Sequence, residues 1–457
     1  MRVALVHDWL TGMRGGEKVL AAIGALFPEA DLFTLIQAEG ACQSITRGRK
    51  VVCSFLNDLP GVERYYRRLL PIMPWAIGQM ELRGYDLVIS SSHCVAKGIR
   101  PGGARHICYC HTPMRYLWSQ SPQYARHSGR VTRMGMASIA GYLKAWELRS
   151  AARVDAFIAN SRNVAQRIGK TYGRTARVIY PPIDTEFFTP ANVPREEFYL
   201  VVSALVPYKC IDHAMEATAR LGRPLRIVGS GPMLESLKKR APKNVRFLGW
   251  VSDEKVREHY RRCRALLLPG EEDFGMAVVE ATACGAPVIA YKAGGALETV
   301  VDWECGSANA TGILYEPQTV EGLTEALKRF ESESAKFNAH VLRNRAERFG
   351  PGNFRERFMQ AVDEELQREG GANRDIRLKT LPALRRRLTS ITGKIIYPAT
   401  ARGGSQLAET LRATTVILSR PVGFIDGRDG VDGGLRDTGA GEPTASAGDA
   451  DTGHRRL

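Results

Sequence analysis

The sequence predicts an α/β protein made of two Rossmann-like domains that face each other across a cleft. The chain has 457 residues, too many for one ordinary hydrophobic core, and 44% of them are hydrophobic, as in globular proteins. Short apolar runs alternate with stretches of helical spacing, which is typical of doubly wound parallel sheets. Pro181 and Pro182, followed by two more prolines within residues 189–194, divide this alternating series into two halves.

The first half opens with a buried strand, a glycine turn over residues 11–16, and a helix over Glu17–Leu26. Its predicted strands are Arg2–His7, Leu32–Ile36, Asp86–Ser90, His106–Cys110, Ala156–Asn160 and Arg177–Ile179. We assign residues 1–182 to this first domain.

The second half repeats the alternation, and we assign residues 195–350 to a second domain. Its predicted strands are Phe198–Ser203, Leu225–Val228, Val245–Leu248, Ala265–Leu268 and Pro287–Ala290. Residues 371–457 differ in character, because a short basic amphipathic stretch around Arg385–Arg387 is followed by a segment rich in Gly, Asp, Ala and Thr. Such a segment has little to bury, so we predict a disordered tail.

Composition restricts the cellular setting. No run of eighteen apolar residues occurs, and the first residues lack the basic and apolar regions of a signal peptide, so we expect a cytoplasmic protein. Nine cysteines, mostly scattered singly, indicate reduced thiols and no zinc site.

The net charge of +16 requires a partner or another explanation. No nucleic-acid-binding signature accompanies it. Residues 63–75 interleave basic, aromatic and aliphatic side chains, which favours peripheral docking on the anionic inner face of the cell membrane. The alternative for this segment is a solvated helix with one apolar face.

The most informative segment is Pro269–Glu280. A buried strand ends before it, a helix begins within it, and two carboxylates, Glu272 and Glu280, lie eight positions apart across Gly275. A strand, loop and helix joined in this way place backbone N–H groups where they favour anions. The pattern therefore predicts a sugar-nucleotide site.

Six motifs resemble, in order, those of the family 4 retaining glycosyltransferases, which have the GT-B fold. They are Val206–Lys209, Val228–Pro232, Phe247–Trp250, Glu272–Ala290 with its Glu-x7-Glu signature, Gly294–Glu298 and Thr311–Pro317. The resemblance covers roughly residues 1–370, and it implies that a helix within residues 352–370 crosses back onto the first domain.

Three further segments look like those of bacterial mannosyltransferases of exopolysaccharide and O-antigen assembly. They are Val3–Leu10, Cys110–Trp118 and Ala204–Lys209. This resemblance implies a hexose transfer, with GDP-mannose as the donor and a polyprenyl-diphosphate-linked oligosaccharide or another surface glycan as the acceptor.

The resemblance also implies roles for three charged residues. Glu272 would be catalytic beside the transferred sugar, Glu280 would accept hydrogen bonds from the ribose, and Lys209 would contact the diphosphate. The family usually has an arginine five residues before that lysine, whereas this chain has Ala204, so one phosphate cation is unassigned. The alternatives are a helix-terminus pair for the two glutamates and a solvated lysine for Lys209.

Other donor contacts would come from glycine-rich turns and backbone amides. Alternatively, each of these segments is a plain turn. The candidates are Phe274, Gly275, Met276 and Ala277 for sugar and phosphate, Gly229, Gly231 and Val251 around the base, and Gly15 and Gly16 from the opposite domain.

His111 follows a predicted strand at the position where related enzymes have a histidine near the transferred sugar. We expect it to orient hydroxyls or assist proton movement, and the alternative is a structural histidine. Arg115, Tyr116 and Trp118 are then candidates for acceptor contacts.

We expect no metal or cofactor, because the GT-B fold holds phosphates with cations and helix N-termini. An Asp-x-Asp motif occurs only at Asp449–Asp451, in the predicted tail. The alternatives to transfer are a GT-B sugar-nucleotide epimerase and a glycan-binding protein with a retired active site. A nicotinamide oxidoreductase is disfavoured, since His7–Gly12 lacks the Gly-x-Gly-x-x-Gly pattern.

Overall fold

The computed structural model describes residues 1–115, 117–118, 130–305 and 308–368. The predicted tail, residues 371–457, lies outside this part of the chain. Among the described residues, no helix is both long and apolar enough to cross a membrane.

The first domain is a parallel sheet of seven strands in the order β3-β2-β1-β4-β5-β6-β7, with helices on its faces. Its strands are β1 Val3–His7, β2 Asp31–Thr34, β3 Val51–Cys53, β4 Leu87–Ser92, β5 Arg105–Cys110, β6 Ala156–Ala159 and β7 Ala176–Val178. Its helices are α1 Gly15–Leu26, α2 Gln43–Thr46, α3 Val62–Tyr65, α4 Met73–Gln79, α5 Arg130–Ala152 and α6 Arg162–Tyr172.

The second domain is a parallel sheet of six strands in the order β10-β9-β8-β11-β12-β13. Its strands are β8 Tyr199–Val202, β9 Leu225–Val228, β10 Val245–Gly249, β11 Leu266–Leu268, β12 Val288–Tyr291 and β13 Gly312–Tyr315. Its helices are α7 Ile211–Arg220, α8 Leu234–Arg240, α9 Asp253–Arg262, α10 Met276–Ala283, α11 Ala296–Thr299, α12 Val320–Glu333 and α13 Ala339–Glu347.

The last described helix, α14 (Pro351–Gln367), returns to the first domain. Its buried residues Phe354, Phe358 and Val362 belong to the core that the first sheet forms with α1. The ring of Phe354 lies 6.1 Å from that of Tyr109 on β5. The helix therefore packs where the resemblance implies.

The predicted fold class is confirmed, since both domains are doubly wound parallel sheets. Two strands, β3 and β13, were not predicted. Each lies at the edge of its sheet and pairs with one neighbour, and each has only three or four residues. Strands of this length carry little periodicity, so some are found from the sequence, as β7 is, and others are not.

A fully buried ion pair fixes the segment after β5 in the first domain. The ammonium of Lys97 lies 3.0 Å from the carboxylate of Glu147 on α5, and both side chains are fully buried. Glu147 also accepts hydrogen bonds from the amide of Met114, the indole of Trp118 and the hydroxyl of Tyr172. This carboxylate therefore holds the chain on both sides of residue 116.

Removing the lysine should destabilise the first domain strongly. In Lys97→Met, the fully buried Glu147 carboxylate loses its counter-ion, which costs about 3–5 kcal/mol of unfolding free energy. Denaturant unfolding measures the change. Lys328→Met removes an exposed cation paired with Glu325, and it should change stability by less than about 0.5 kcal/mol. Equal effects in the two variants would contradict this account.

Candidate functional site

The candidate site lies where the strand order of both sheets reverses. These switch points fall between β1 and β4 in the first domain and between β8 and β11 in the second. Loops that follow such strands at their carboxyl ends form a crevice, which is where open α/β sheets bind ligands. Here the two crevices face each other, because a Cβ atom added to Gly15 after β1 would lie 3.0 Å from the sulfur of Met276 after β11.

Three successive carboxylates, Glu271–Asp273, follow β11 and point to different domains. Glu272 forms a strand-like bridge with Gly294, and in extended backbone successive side chains alternate in direction. The Glu272 carboxylate pairs with the ammonium of Lys209 in its own domain. Glu271 and Asp273 pair instead with arginines of the first domain.

Arg167 and Arg115 are those two arginines. A guanidinium nitrogen of Arg167, on α6, lies 2.5 Å from the Glu271 carboxylate, and its other terminal nitrogen pairs with Asp273. Arg115 also pairs with Asp273, which is buried. Sequence spacing to Glu280 was the only reason to choose Glu272 over its neighbours. The structure adds a physical distinction, because both neighbours form ion pairs with the opposite domain.

Lys209 lies at the end of a short 3-10 turn after β8, and it is 8% exposed. The backbone of Gly270 presses against this turn, since an added Cβ would come within 2.6 Å of the Cα atom of Lys209. The alternative of a solvated lysine is therefore wrong. Its role towards phosphate is untested and stays a prediction.

Glu280 lies on α10 and is 8% exposed. Its carboxylate accepts a hydrogen bond of 3.1 Å from the Tyr260 hydroxyl and lies 3.7 Å from the ammonium of Lys18. Lys18, on α1 of the first domain, also contacts Asp253 at 2.9 Å. Burial raises the pKa of the Glu280 carboxyl, although Lys18 and the tyrosine bond favour its charged form.

The backbone at the start of α10 is accessible to close approach by a ligand. Gly275 precedes it in the left-handed region, at a φ of 88°, and no side chain caps the helix. Phe274 is buried in the second-domain core, while Met276 and Ala277 are half-buried at its border. The predicted donor contacts here are backbone amides, and their positions at an uncapped helix start suit an anion.

The glycines after β9 lie against the loop that follows β8. An added Cβ would come within 1.9 Å of the Ser203 carbonyl at Gly229, and within 2.4 Å of the Leu205 carbonyl at Gly231. These contacts explain the Gly-x-Gly pattern without a ligand. Val251 packs against the core, and the preceding Trp250 is 77% exposed.

The Gly-Gly-x-x-Glu motif joins the two domains. Gly294 and Gly295 pack directly against the backbone of Glu272 and Phe274. Glu298 then accepts hydrogen bonds from the amides of Arg162 and Asn163, at 2.9 and 3.1 Å. These amides begin α6, so a carboxylate of the second domain caps a helix of the first.

His111 belongs to a hydrogen-bonded chain beneath the glycine turn of the first domain. Its Nε2 atom lies 2.9 Å from the Ser91 hydroxyl, and Nδ1 of His7 donates to the Ser91 carbonyl at 3.0 Å. A Cβ added to Gly16 would lie 3.7 Å from both imidazole rings. Burial, together with His93 and His7, lowers the pKa of His111 to about 3, so this imidazole is neutral at physiological pH.

Asp8 organises the remaining polar groups of this crevice. Its buried carboxylate accepts four backbone N–H bonds, from residues 93–96, and contacts Nδ1 of His93 at 3.1 Å. Burial opposes its charge, but His93, His7 and the backbone bonds together lower the pKa of Asp8.

Within the described part of the chain, no three His, Cys, Asp or Glu side chains are grouped to hold a metal ion.

The three acceptor candidates differ in their surroundings. The Trp118 indole donates to Glu147 at 2.7 Å, and Arg115 pairs with Asp273. Tyr116 lies outside the described residues. Their roles towards an acceptor stay predictions.

Sequence analysis missed several residues of the site. Each comes from the first domain. Two of them lie within the Val3–Leu10 segment but had no role assigned to them, and the other four lie outside every motif. The missed residues are His7, Asp8, Lys18, Ser91, His93 and Arg167.

Two family models match the chain. One is described as "Glycosyl transferases group 1" and covers residues 182–349, and the other is described as "Glycosyltransferase Family 4" and covers residues 29–187.

Relatives and solved structures agree with these matches. A GDP-mannose-dependent alpha-(1-6)-phosphatidylinositol monomannoside mannosyltransferase of Mycolicibacterium smegmatis is 29% identical over 243 residues, 44% of this chain and 62% of that protein. An uncharacterized glycosyltransferase of Methanocaldococcus jannaschii is 29% identical over 178 residues, 38% of this chain and 48% of that protein. The chain thus spans about half to three-fifths of these relatives.

The crystal structure of HepE from Anabaena in complex with UDP has a TM-score of 0.58 at 19% identity, over 80% of this chain and 100% of that one. This likeness shows a shared fold.

The neutral state of His111 can be tested by titration. Because its pKa lies near 3, the ring carbon shifts of His111 in an NMR spectrum should not change between pH 5 and 8. The unfolded chain protonates this histidine near its ordinary pKa of about 6.5, so stability should be lost as the pH falls below that value. His111→Gln identifies the resonance and should lose less stability on acidification. A midpoint near 6.5 in the folded protein would contradict this assignment.

Proposed function

We propose that this chain, which belongs to family 4 of the GT-B glycosyltransferases, transfers a hexose from a nucleotide sugar with retention of its anomeric configuration. One observation carries the proposal: Lys209, Glu272 and Glu280, the three charged residues of the family motifs, lie buried or half-buried along one wall of the interdomain crevice. A loop on the open surface would leave these three side chains exposed to solvent.

The three residues can divide the donor between them. Lys209 binds the diphosphate, and the backbone amides at the start of α10 share its charge. Glu280 accepts hydrogen bonds from the ribose. The ammonium of Lys18 lies 3.7 Å from the same carboxylate. Glu272, next to Lys209, faces the sugar and stabilises positive charge at the anomeric carbon as the bond to the diphosphate breaks.

His111 completes the sugar site from the first domain. Its neutral imidazole can accept or donate one hydrogen bond, so it can orient a sugar hydroxyl without adding charge. Gly16 lies next to this ring, since a Cβ atom added there would be at ordinary contact distance, 3.7 Å, from Nε2 of His111. The acceptor hydroxyl enters from this side.

The transferred hexose is mannose from GDP-mannose in this proposal. Three motif segments resemble bacterial mannosyltransferases, and the mycobacterial relative carries that donor in its name. The acceptor is a polyprenyl-diphosphate-linked oligosaccharide or another surface glycan. No metal or cofactor takes part, since cations of the protein and helix amides neutralise the phosphates.

The first domain docks on the anionic inner face of the cell membrane. Phe55, Leu59 and Trp75 are exposed by 37–46%, and the rings of Phe55 and Trp75 stack edge to face at 4.7 Å. Arg64, whose side chain is 82% exposed, lies between these residues in the segment 55–75. Exposed aromatic side chains beside a cation suit an interface where apolar groups enter and arginine meets lipid phosphate.

Nucleotide binding tests the donor assignment. GDP and GDP-mannose should raise the thermal midpoint more than UDP, UDP-glucose and UDP-N-acetylglucosamine at equal concentration. A larger rise of the thermal midpoint with UDP and its sugar derivatives would indicate a uridine-based donor instead. Turnover of the donor without any acceptor, to an epimeric sugar nucleotide, would favour the epimerase instead.

Glu280→Gln should weaken nucleoside diphosphate binding roughly tenfold to a hundredfold, because a charge-assisted ribose contact is lost. Calorimetric titration measures this change, and transfer should fall in parallel. Glu325→Gln, an exposed change on α12, is the matched control. Unchanged nucleotide affinity in the folded Glu280 variant would refute the ribose contact.

Vesicle sedimentation tests the membrane surface. Binding to vesicles with anionic lipid should decrease as salt rises, and Trp75→Ser should reduce it further. Trp250→Ser removes an even more exposed indole from the second domain and should leave binding unchanged. Salt-independent binding, or an equal loss in both variants, would argue against docking by residues 55–75.

A further inference from the structure

We infer that Arg115 of the first domain supplies the second cation for the donor diphosphate. It would replace the family arginine, whose position is occupied by Ala204 in this chain. The inference rests on the proposed function, because it requires a nucleoside diphosphate in the crevice. It assigns Arg115 to the donor, whereas its motif alone suggested the acceptor.

The first argument is the position of Arg115 beside Lys209. The guanidinium of Arg115 lies 5.1 Å from the centre of the Tyr208 ring, and the ammonium of Lys209 lies 5.2 Å from the same centre. The two cations thus flank one aromatic ring, although they come from opposite domains. Ala204 lies at the start of this same loop, is exposed, and has only a methyl group to offer.

The second argument is that Arg115 has hydrogen-bonding capacity to spare. Its side chain is 15% exposed and pairs with Asp273. A guanidinium has five N–H donors in a planar fork, so it can keep this carboxylate and still bind a phosphate oxygen. The ion pair with Asp273 then fixes the orientation of the Arg115 guanidinium towards the phosphate.

The third argument concerns Lys18 and Arg167, two other first-domain cations that pair with carboxylates of the second domain. Lys18 contacts Asp253 and Glu280, which places it at the ribose end of the site. Arg167 shares Asp273 with Arg115, but its second partner is Glu271, and it lies 3.4 Å from the Thr112 hydroxyl. Of these three cations, Arg115 is the one that shares a ring with Lys209.

The test separates a phosphate contact from a clamp between the domains. Dissociation constants are measured for GDP, GMP, UDP and UMP with wild type, Arg115→Gln and Arg167→Gln. Both variants lose one guanidinium that pairs with Asp273, and in each the other arginine still neutralises this carboxylate. Circular dichroism and thermal midpoints confirm that each variant is folded.

We expect Arg115→Gln to weaken diphosphate binding at least about tenfold while monophosphate binding changes little, as the loss of a charged hydrogen bond to the second phosphate requires. Arg167→Gln should weaken both nucleotides to the same small extent. In Arg115→Gln with Ala204→Arg, the restored family arginine should recover diphosphate affinity.

Two results would overturn the inference. An equal loss for monophosphate and diphosphate in Arg115→Gln would indicate a general clamp, and an equally selective loss in Arg167→Gln would remove the distinction between the two arginines. Wild-type protein that binds none of the four nucleotides would instead refute the proposed function. Failure of one proposal is thus distinguishable from failure of the other.

Discussion

The loop Glu271–Asp273 constrains the whole site, because three successive carboxylates in a partly buried loop each need a cation. Extended backbone sends the middle side chain to Lys209 in its own domain and the outer two to arginines of the opposite domain. Gly294 and Gly295 keep this backbone extended by packing against it without side chains. The interdomain crevice therefore takes its shape from the loop that also carries Glu272.

The two walls of the crevice use charge differently. The second domain presents the carboxyl groups of Glu272 and Glu280 and the ammonium of Lys209, which suit a nucleotide-sugar donor. Beneath Gly16, the first domain presents a histidine kept neutral by burial and by neighbouring histidines. Asp8 acts on this crevice through its four backbone bonds, which fix the segment that carries His93, while its negative charge opposes the lowering of the His111 pKa. A crevice with the Lys209 cation on one wall and the neutral His111 imidazole on the other can hold a diphosphate and a sugar.

The sequence predicts the fold class and the motif residues because both depend on local patterns. Alternating apolar runs indicate sheets and helices, and Gly270 and Gly275 on either side of Glu272 indicate close backbone contacts. Arg167 and Lys18 could not be found in this way, because their partners are separated from them by more than a hundred residues and both resemble solvated helix cations. The edge strands β3 and β13 were missed for a different reason, since segments of three or four residues carry little periodic signal.

Helix α14 makes the first domain discontinuous in sequence. Its aromatic residues fill the core against Tyr109, yet the chain reaches them only after the whole second domain. During synthesis, residues 1–182 must therefore wait, with part of their core uncovered, until residues near 367 leave the ribosome. The final unit to assemble is the one that is made first, so an early stop in translation after the second domain would leave the core of the first domain incomplete.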